Sequence, residues 1–319
     1  MFKSKTKYTW EGWDSSGRED WVFGVAHPRE LMGAHAKLID KELKTDEKIE
    51  SCLYAPRVSA TSTPFGLVAE ESSYGLCVTD KRLIISKDMH AKEIEPVVTS
   101  IDFDDILYFH IGSVLLLSWF SVTYVQDSKI NTVPIIFSSN GKHHFEKALR
   151  VYKKYCTPIN TDEVAMNSFS AGSFLYKIKN SIHRNYLKTL ISTNEKCILT
   201  FSFQHAWGKV VRKNILSRKE KAFYPTSSAT ILLTNKSIII ARDSLEFSIG
   251  SSVDVLIAPL DKISTALLFK ENIDDGIMHK LRLFFFSGRG NNTLDISLFC
   301  PAEDLEAFMN KIQLLLSKE

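Results

Sequence analysis

Hydrophobic positions along the chain follow two spacings. Short runs of β-branched and aromatic residues, separated by turn residues, predict strands at 74–78, 82–86, 106–109, 114–125 and 133–137. A second series is predicted at 197–203, 229–233, 237–241, 255–257, 263–270, 281–286 and 293–299. Asn140-Gly141, Asp274-Asp275-Gly276 and Ser287-Gly288-Arg289-Gly290 supply turns. Three- and four-residue spacing takes over at 143–154, with Phe145, Leu149 and Tyr152, and at 302–316, with Leu305, Phe308, Met309 and Ile312 behind Pro301. Two more helices are predicted ahead of the strands. One is at 28–44, with Pro28 in its first turn; the other is at 173–191, with Phe174, Leu175, Ile178, Ile182, Tyr186, Leu187 and Leu190.

The pattern is duplicated. Leu43-Lys44-Thr45-Asp46-Glu47-Lys48-Ile49 returns as Ile191-Ser192-Thr193-Asn194-Glu195-Lys196-Cys197, 148 positions on. Val78-Thr79-Asp80-Lys81-Arg82-Leu83-Ile84-Ile85 returns as Leu233-Thr234-Asn235-Lys236-Ser237-Ile238-Ile239-Ile240 at a displacement of 155, and Phe145 matches Leu305 at 160. The order is conserved while the offset drifts through loops. Each unit therefore reads as helix, about seven strands and a final helix. No strand–helix alternation interrupts the strands, which excludes a parallel α/β sheet. The fold class is α+β: two partly open antiparallel β-barrels, each plugged by a C-terminal helix and preceded by a helix expected to pack between domains. The boundaries read as an aromatic extension at 1–27, a first domain at 28–160 and a second at 161–319.

The hairpin Val78-Thr79-Asp80-Lys81-Arg82-Leu83-Ile84-Ile85 resembles the one typical of the pleckstrin-homology-like (PH-like) superfamily, bacterial PH and GRAM domains especially. Leu233-Thr234-Asn235-Lys236-Ser237-Ile238 resembles it too, with Ser237 where Arg is expected. Asp80 and Asn235 suit turn positions that tolerate positive φ. The resemblance covers 28–156 and 172–319 and implies binding of a lipid headgroup, peptide or protein, without catalysis or cofactor.

Charge adds an asymmetry. Residues 1–160 carry 20 Lys/Arg against 21 Asp/Glu, and the remainder 20 against 16, so an anionic partner is expected at the second half. The net charge of +3 is too small to announce a nucleic-acid binder. Cys52, Cys77, Cys156, Cys197 and Cys300 are scattered, odd in number and without a Cys-x-x-Cys pair, which argues against a disulfide framework and a zinc site. Met1 to Lys7 is followed by no apolar stretch of the signal-peptide kind, and the run at 111–120 is too short to span a bilayer. A cytoplasmic protein is expected, and the Asn291-Asn292-Thr293 glycosylation match is discounted accordingly.

Two segments stand out as candidate sites. Lys209, Arg212, Lys213, Arg218, Lys219 and Lys221 lie between the first two strands of the second repeat, beside Val210, Val211, Ile215 and Leu216. Near an anionic leaflet each basic side chain contributes ~1 kcal/mol, so this loop is the candidate for lipid headgroups. The same residues also suit a solvated hairpin, and the corresponding stretch 56–69 holds only Arg57. Trp10, Trp13, Trp21 and Phe23, with Gly12, Gly17 and Gly24, read as a strap docking on a hydrophobic groove of this chain or a partner. His143-His144 and the equivalent His35 and His183 lack accompanying ligand clusters and read as capping or buried residues. Asp102, Asp104 and Asp105 read as exposed turn residues, and no phosphate-cradling loop or nucleophile elbow is present. The chain is thus expected to be a non-enzymatic adaptor for a protein or peptide partner. Alternatives are peripheral binding of anionic lipids and self-assembly into a homo-oligomer.

Overall fold

The computed structural model describes residues 21–58, 72–89, 95–114, 116–158, 175–192, 194–206, 210–213, 220–223, 226–243, 253–273, 276–285, 292–298 and 302–316. The expected turns at 274–275 and 287–290, and Phe174, Pro301, Cys300 and Asn291, lie outside them. The chain is mixed α+β, with largely antiparallel sheets and no closed barrel among the described residues. Contacts divide it into two compact units. One runs to Ile106 and adds Ile111–Tyr124 and Thr132–Tyr155; the other comprises Leu107–His110, Val125–Asn131 and the chain from Cys156.

The first unit opens with β1 (Phe23–Val25), a 3-10 turn at Pro28–Glu30 and α1 (Ala34–Glu42). A single helix at 28–44 was expected. The 3-10 turn instead ends at Glu30 with Leu31 as its cap, and Gly33, at φ 60°, is the N-cap from which α1 starts. Next come β2 (Ile49–Ala55), β3 (Ser73–Thr79), β4 (Arg82–Asp88) and β5 (Val97–Asp102), which with β1 form one antiparallel sheet in sequence order. β6 (Ile106–Val114), β7 (Leu117–Gln126) and β8 (Lys129–Ser138) are neighbours in sequence order, and α2 (Lys142–Tyr155) follows. One strand at 114–125 was expected, but Val114 ends β6 and β7 begins at Leu117. Asp127 (φ 51°) and Ser128 (φ 64°) form the β7–β8 turn, the pair of positive angles that a two-residue hairpin with right-handed twist demands.

Both faces of the first sheet are covered, which is why β3 is buried along its whole length and shows no alternation. On one face α1 packs on β3, β4 and β5; Ile39 and Leu31 cluster there with Cys52, Tyr54, Cys77 and Ile84. Gly75 permits this approach, since a Cβ there would stand 3.0 Å from the His35 Cβ and 2.7 Å from the Ser86 hydroxyl. From α2, Phe145 stacks on Phe137 at 4.0 Å and meets Phe120 at 5.2 Å, while Phe103 meets Tyr152 edge-on. The expected apolar face Phe145, Leu149, Tyr152 is buried.

The second unit repeats this order of elements. α3 (Ser181–Leu190) is shorter than the predicted 173–191 because Asn180 caps its start, accepting from the Ile182 and His183 amides. β9 (Cys197–Ala206), β12 (Thr226–Thr234), β13 (Ser237–Asp243) and β14 (Val253–Pro259) form an antiparallel set. The small hairpin β10 (Val210–Lys213) and β11 (Glu220–Phe223) lies between β9 and β12 in sequence. β15 (Ile263–Ile273), β16 (Gly276–Phe285) and β17 (Asn292–Leu298) form a separate three-stranded sheet, and α4 (Ala302–Leu316) closes the unit. Leu305, Phe308, Met309 and Ile312 join Ile231, Ile238, Leu281 and Leu283 in one core. α3 packs on β13 of its own unit, as α1 packs on the first sheet.

Candidate binding surfaces

The β3–β4 and β12–β13 turns carry the sequence signature, and the structure shows what its residues do. Neither Asp80 nor Asn235 has the positive φ expected of it. Each turn is closed by its threonine. The Thr79 hydroxyl accepts from the Lys81 and Arg82 amides, and the Thr234 hydroxyl from those of Lys236 and Ser237. The acidic or amide side chain instead ties down the neighbouring strand. Asp80 accepts the Lys48 amide at 3.0 Å and Asn235 the Lys196 amide at 2.9 Å; the Asp80 and Asn235 amides return the bond to the Lys48 and Lys196 carbonyls. The motif is a structural clamp, made by the chain for itself.

Beneath each clamp lies a glutamate. Glu47 accepts from Arg82 at 2.7 and 3.2 Å, and Arg82 also donates to the Ser100 hydroxyl and the Glu42 carbonyl. Glu195, the equivalent residue, accepts from the Thr234 and Ser237 hydroxyls at 2.5 and 3.0 Å. The histidines are also internal. His35 bridges Ser73 and Ser86, and His183 bridges Thr230 and Asp243. Burial works against the Asp243 carboxylate, but hydrogen bonds from His183 and Ser228 hold its pKa below the usual carboxylate range. Among the described residues no group of three or more His, Cys, Asp or Glu is placed to hold a metal ion.

The His143 and His144 rings meet at a tilt, their centroids 3.9 Å apart, at the start of α2. Burial, then the charges of His143 and Lys147, push the His144 pKa down to about 4. The ring lies against Gly24, where a Cβ would stand 2.9 Å from its Nδ1, and Val22 fills the space over Gly141. Thus the strap residues 22–25 dock on β2 and the start of α2, with Phe23 against Tyr54 at 5.3 Å. Trp21 is 58% exposed, while Trp10 and Trp13 lie outside the described residues.

Of the basic candidates, Arg212 and Lys213 belong to β10 and Lys221 to β11; Arg212 is opposite Lys221 and Lys213 opposite Glu220. Lys209, Arg218 and Lys219 lie outside the described residues. Asp102, Asp104 and Asp105 are exposed around a 3-10 turn.

Sequence reasoning passed over one surface. β15 is eleven residues long and hydrogen-bonds to a neighbouring strand, β16, along one side only among the described residues. Leu267 and Phe269 are exposed on it, at 37% and 38%. The Arg282 guanidinium lies over the Phe269 ring at 4.6 Å and is anchored by Asp295 at 2.7 Å. α4 flanks the strand; Gln313 reaches the Ala266 carbonyl at 3.5 Å and Glu306 pairs with Lys270 at 3.5 Å. In the sequence Ala266-Leu267-Leu268-Phe269 is a continuous apolar run, so neither the exposure of 267 and 269 nor the edge position could be read from it.

Residues 43–154, from just before β2 through most of α2, match the family model of the bacterial PH domain. No curated protein and no solved structure matches the chain. The first unit thus contains a PH-like domain, and this points to a binding module rather than a catalyst. No helix is long and apolar enough to cross a membrane among the described residues.

Proposed function

We propose that the chain carries two PH-like domains and acts as a cytoplasmic, non-catalytic adaptor that binds an extended segment of a partner protein along β15. The second domain is inferred from its repeated order of elements, its equivalent turn clamp and its equivalent capping helix. The observation that carries the binding reading is the side of β15 that pairs with no strand among the described residues, where α4 meets it only through side chains such as Gln313. A long edge with exposed apolar side chains is a template for another strand, and most proteins shorten, charge or cover such edges. Main-chain hydrogen bonds would supply affinity, and Leu267, Phe269 and the Phe269–Arg282 pair would select side chains of the added strand.

The test is selection of peptides from a random displayed library on the full chain, followed by rebinding to a Leu267→Lys/Phe269→Lys variant with an unchanged thermal midpoint. A loss of tenfold or more supports the proposal; unchanged affinity rejects it. A second reading rests on the β10–β11 hairpin, which places Arg212, Lys213 and Lys221 on an insertion absent from the described part of the first unit. Salt-sensitive sedimentation with anionic, but not neutral, liposomes would favour that reading. A mass that rises with concentration would instead place a second copy on the β15 edge.

A further inference from the structure

Cys52 and Cys77 are direct partners on the adjacent strands β2 and β3, and their sulfurs lie 3.0 Å apart. Both belong to the layer under α1, among Leu31, Ile39, Tyr54 and Ile84. The second unit has the same strand pair but puts Thr200 opposite Leu232 at the equivalent position. The paired thiols are therefore a feature of the first unit alone, and the repeated fold does not require them. Cross-strand partners lie within the Cα separation that a disulfide spans, so joining the sulfurs needs side-chain rotation rather than backbone movement.

We propose that Cys52 and Cys77 form a reversible thiol–disulfide site that hydrogen peroxide closes. One sulfur attacks a peroxide oxygen, the O–O bond breaks, and a sulfenic acid forms with release of one water. The second sulfur then displaces the sulfenic oxygen, which leaves as a second water as the S–S bond forms; two thiols are oxidised and one peroxide is reduced. Contact between the sulfurs favours this closure over further oxidation of either one. The hydrogen bond that Cys52 donates to Cys77, and then burial, push the Cys52 thiol pKa upward. Reaction consequently waits for α1 to lift. That helix has nine residues and starts at Gly33, whose N-cap position makes no side-chain capping bond. The closed bond would staple the base of the β2–β3 connection, residues 56–72, which corresponds in sequence to the basic hairpin of the second unit.

The experiment treats the folded full chain with hydrogen peroxide, alkylates it under denaturing conditions, and reads intact mass and linked peptides. The expected result is joint loss of two alkylation sites, a peptide linking Cys52 to Cys77, reversal by a dithiol reductant, and a thermal midpoint raised by several degrees. Cys52→Ser, and a Cys52→Thr/Cys77→Leu variant that copies the second unit, should retain the fold and lose the linkage. Full alkylation of both cysteines after treatment, or over-oxidation of either without a linked peptide, would overturn the proposal.

Discussion

The two β-hairpin clamps use one backbone circuit with two different chemistries beneath it. In the first unit Glu47 faces a guanidinium; in the second Glu195 takes two hydroxyls. The exchange is concerted. Ser100, which accepts from Arg82, stands opposite Ile84, and the equivalent position opposite Ile239 is Ile257. Ser237 thus replaces Arg82 together with a partner that a guanidinium would need. What the repeats preserve is a satisfied carboxylate under the turn, and either donor set meets that requirement.

The comparison breaks most visibly at Glu47. Its side chain is 1% exposed and that of Arg82 is 7%, so Glu47→Ala strands a buried cation and should cost about 3–5 kcal/mol in urea unfolding of the transition that reports the first unit. A smaller cost is expected in the second unit. Ser237→Ala removes one hydroxyl from Glu195 while Thr234 keeps its own, for a loss of about 1.5–3 kcal/mol. If the two substitutions cost the same, the donor sets are not distinguished by charge burial. The smallest effect is a pH dependence particular to the first unit. The His144 pKa in the folded protein, about 4, lies below its ordinary 6.5. The neutral ring is therefore the form the fold accommodates; its stability is full above pH 6.5 and declines as pH falls toward 4. His144→Gln should flatten that part of a stability–pH profile, and an unaltered slope would place the titration elsewhere.

Periodicity made the capping helices and most strands legible. Ala302–Leu316 was read at its observed bounds, and the β3–β4 hairpin was read from its turn residues. What escaped was non-local. Sequence pairs Thr79 and Asp80 with a turn, but not Asp80 with the Lys48 amide thirty-two positions away. β2 and β5 were passed over because polar Glu50, Ser51, Thr99 and Ser100 interrupt their apolar runs. The break of the leading helix was missed because Gly33 was not weighed against Pro28. Scattered cysteines said nothing of Cys52 meeting Cys77, since only strand register brings them together. The β15 surface is likewise a property of sheet order: Leu267 and Phe269 read as ordinary strand residues until the strand proves to pair with one strand among the described residues.

The most direct measurement is amide hydrogen exchange of the full chain with and without a selected peptide. Strand addition predicts protection within Ile263–Ile273 on binding, lost in the Leu267→Lys/Phe269→Lys variant. Protection confined to other elements, with β15 unchanged, would contradict it.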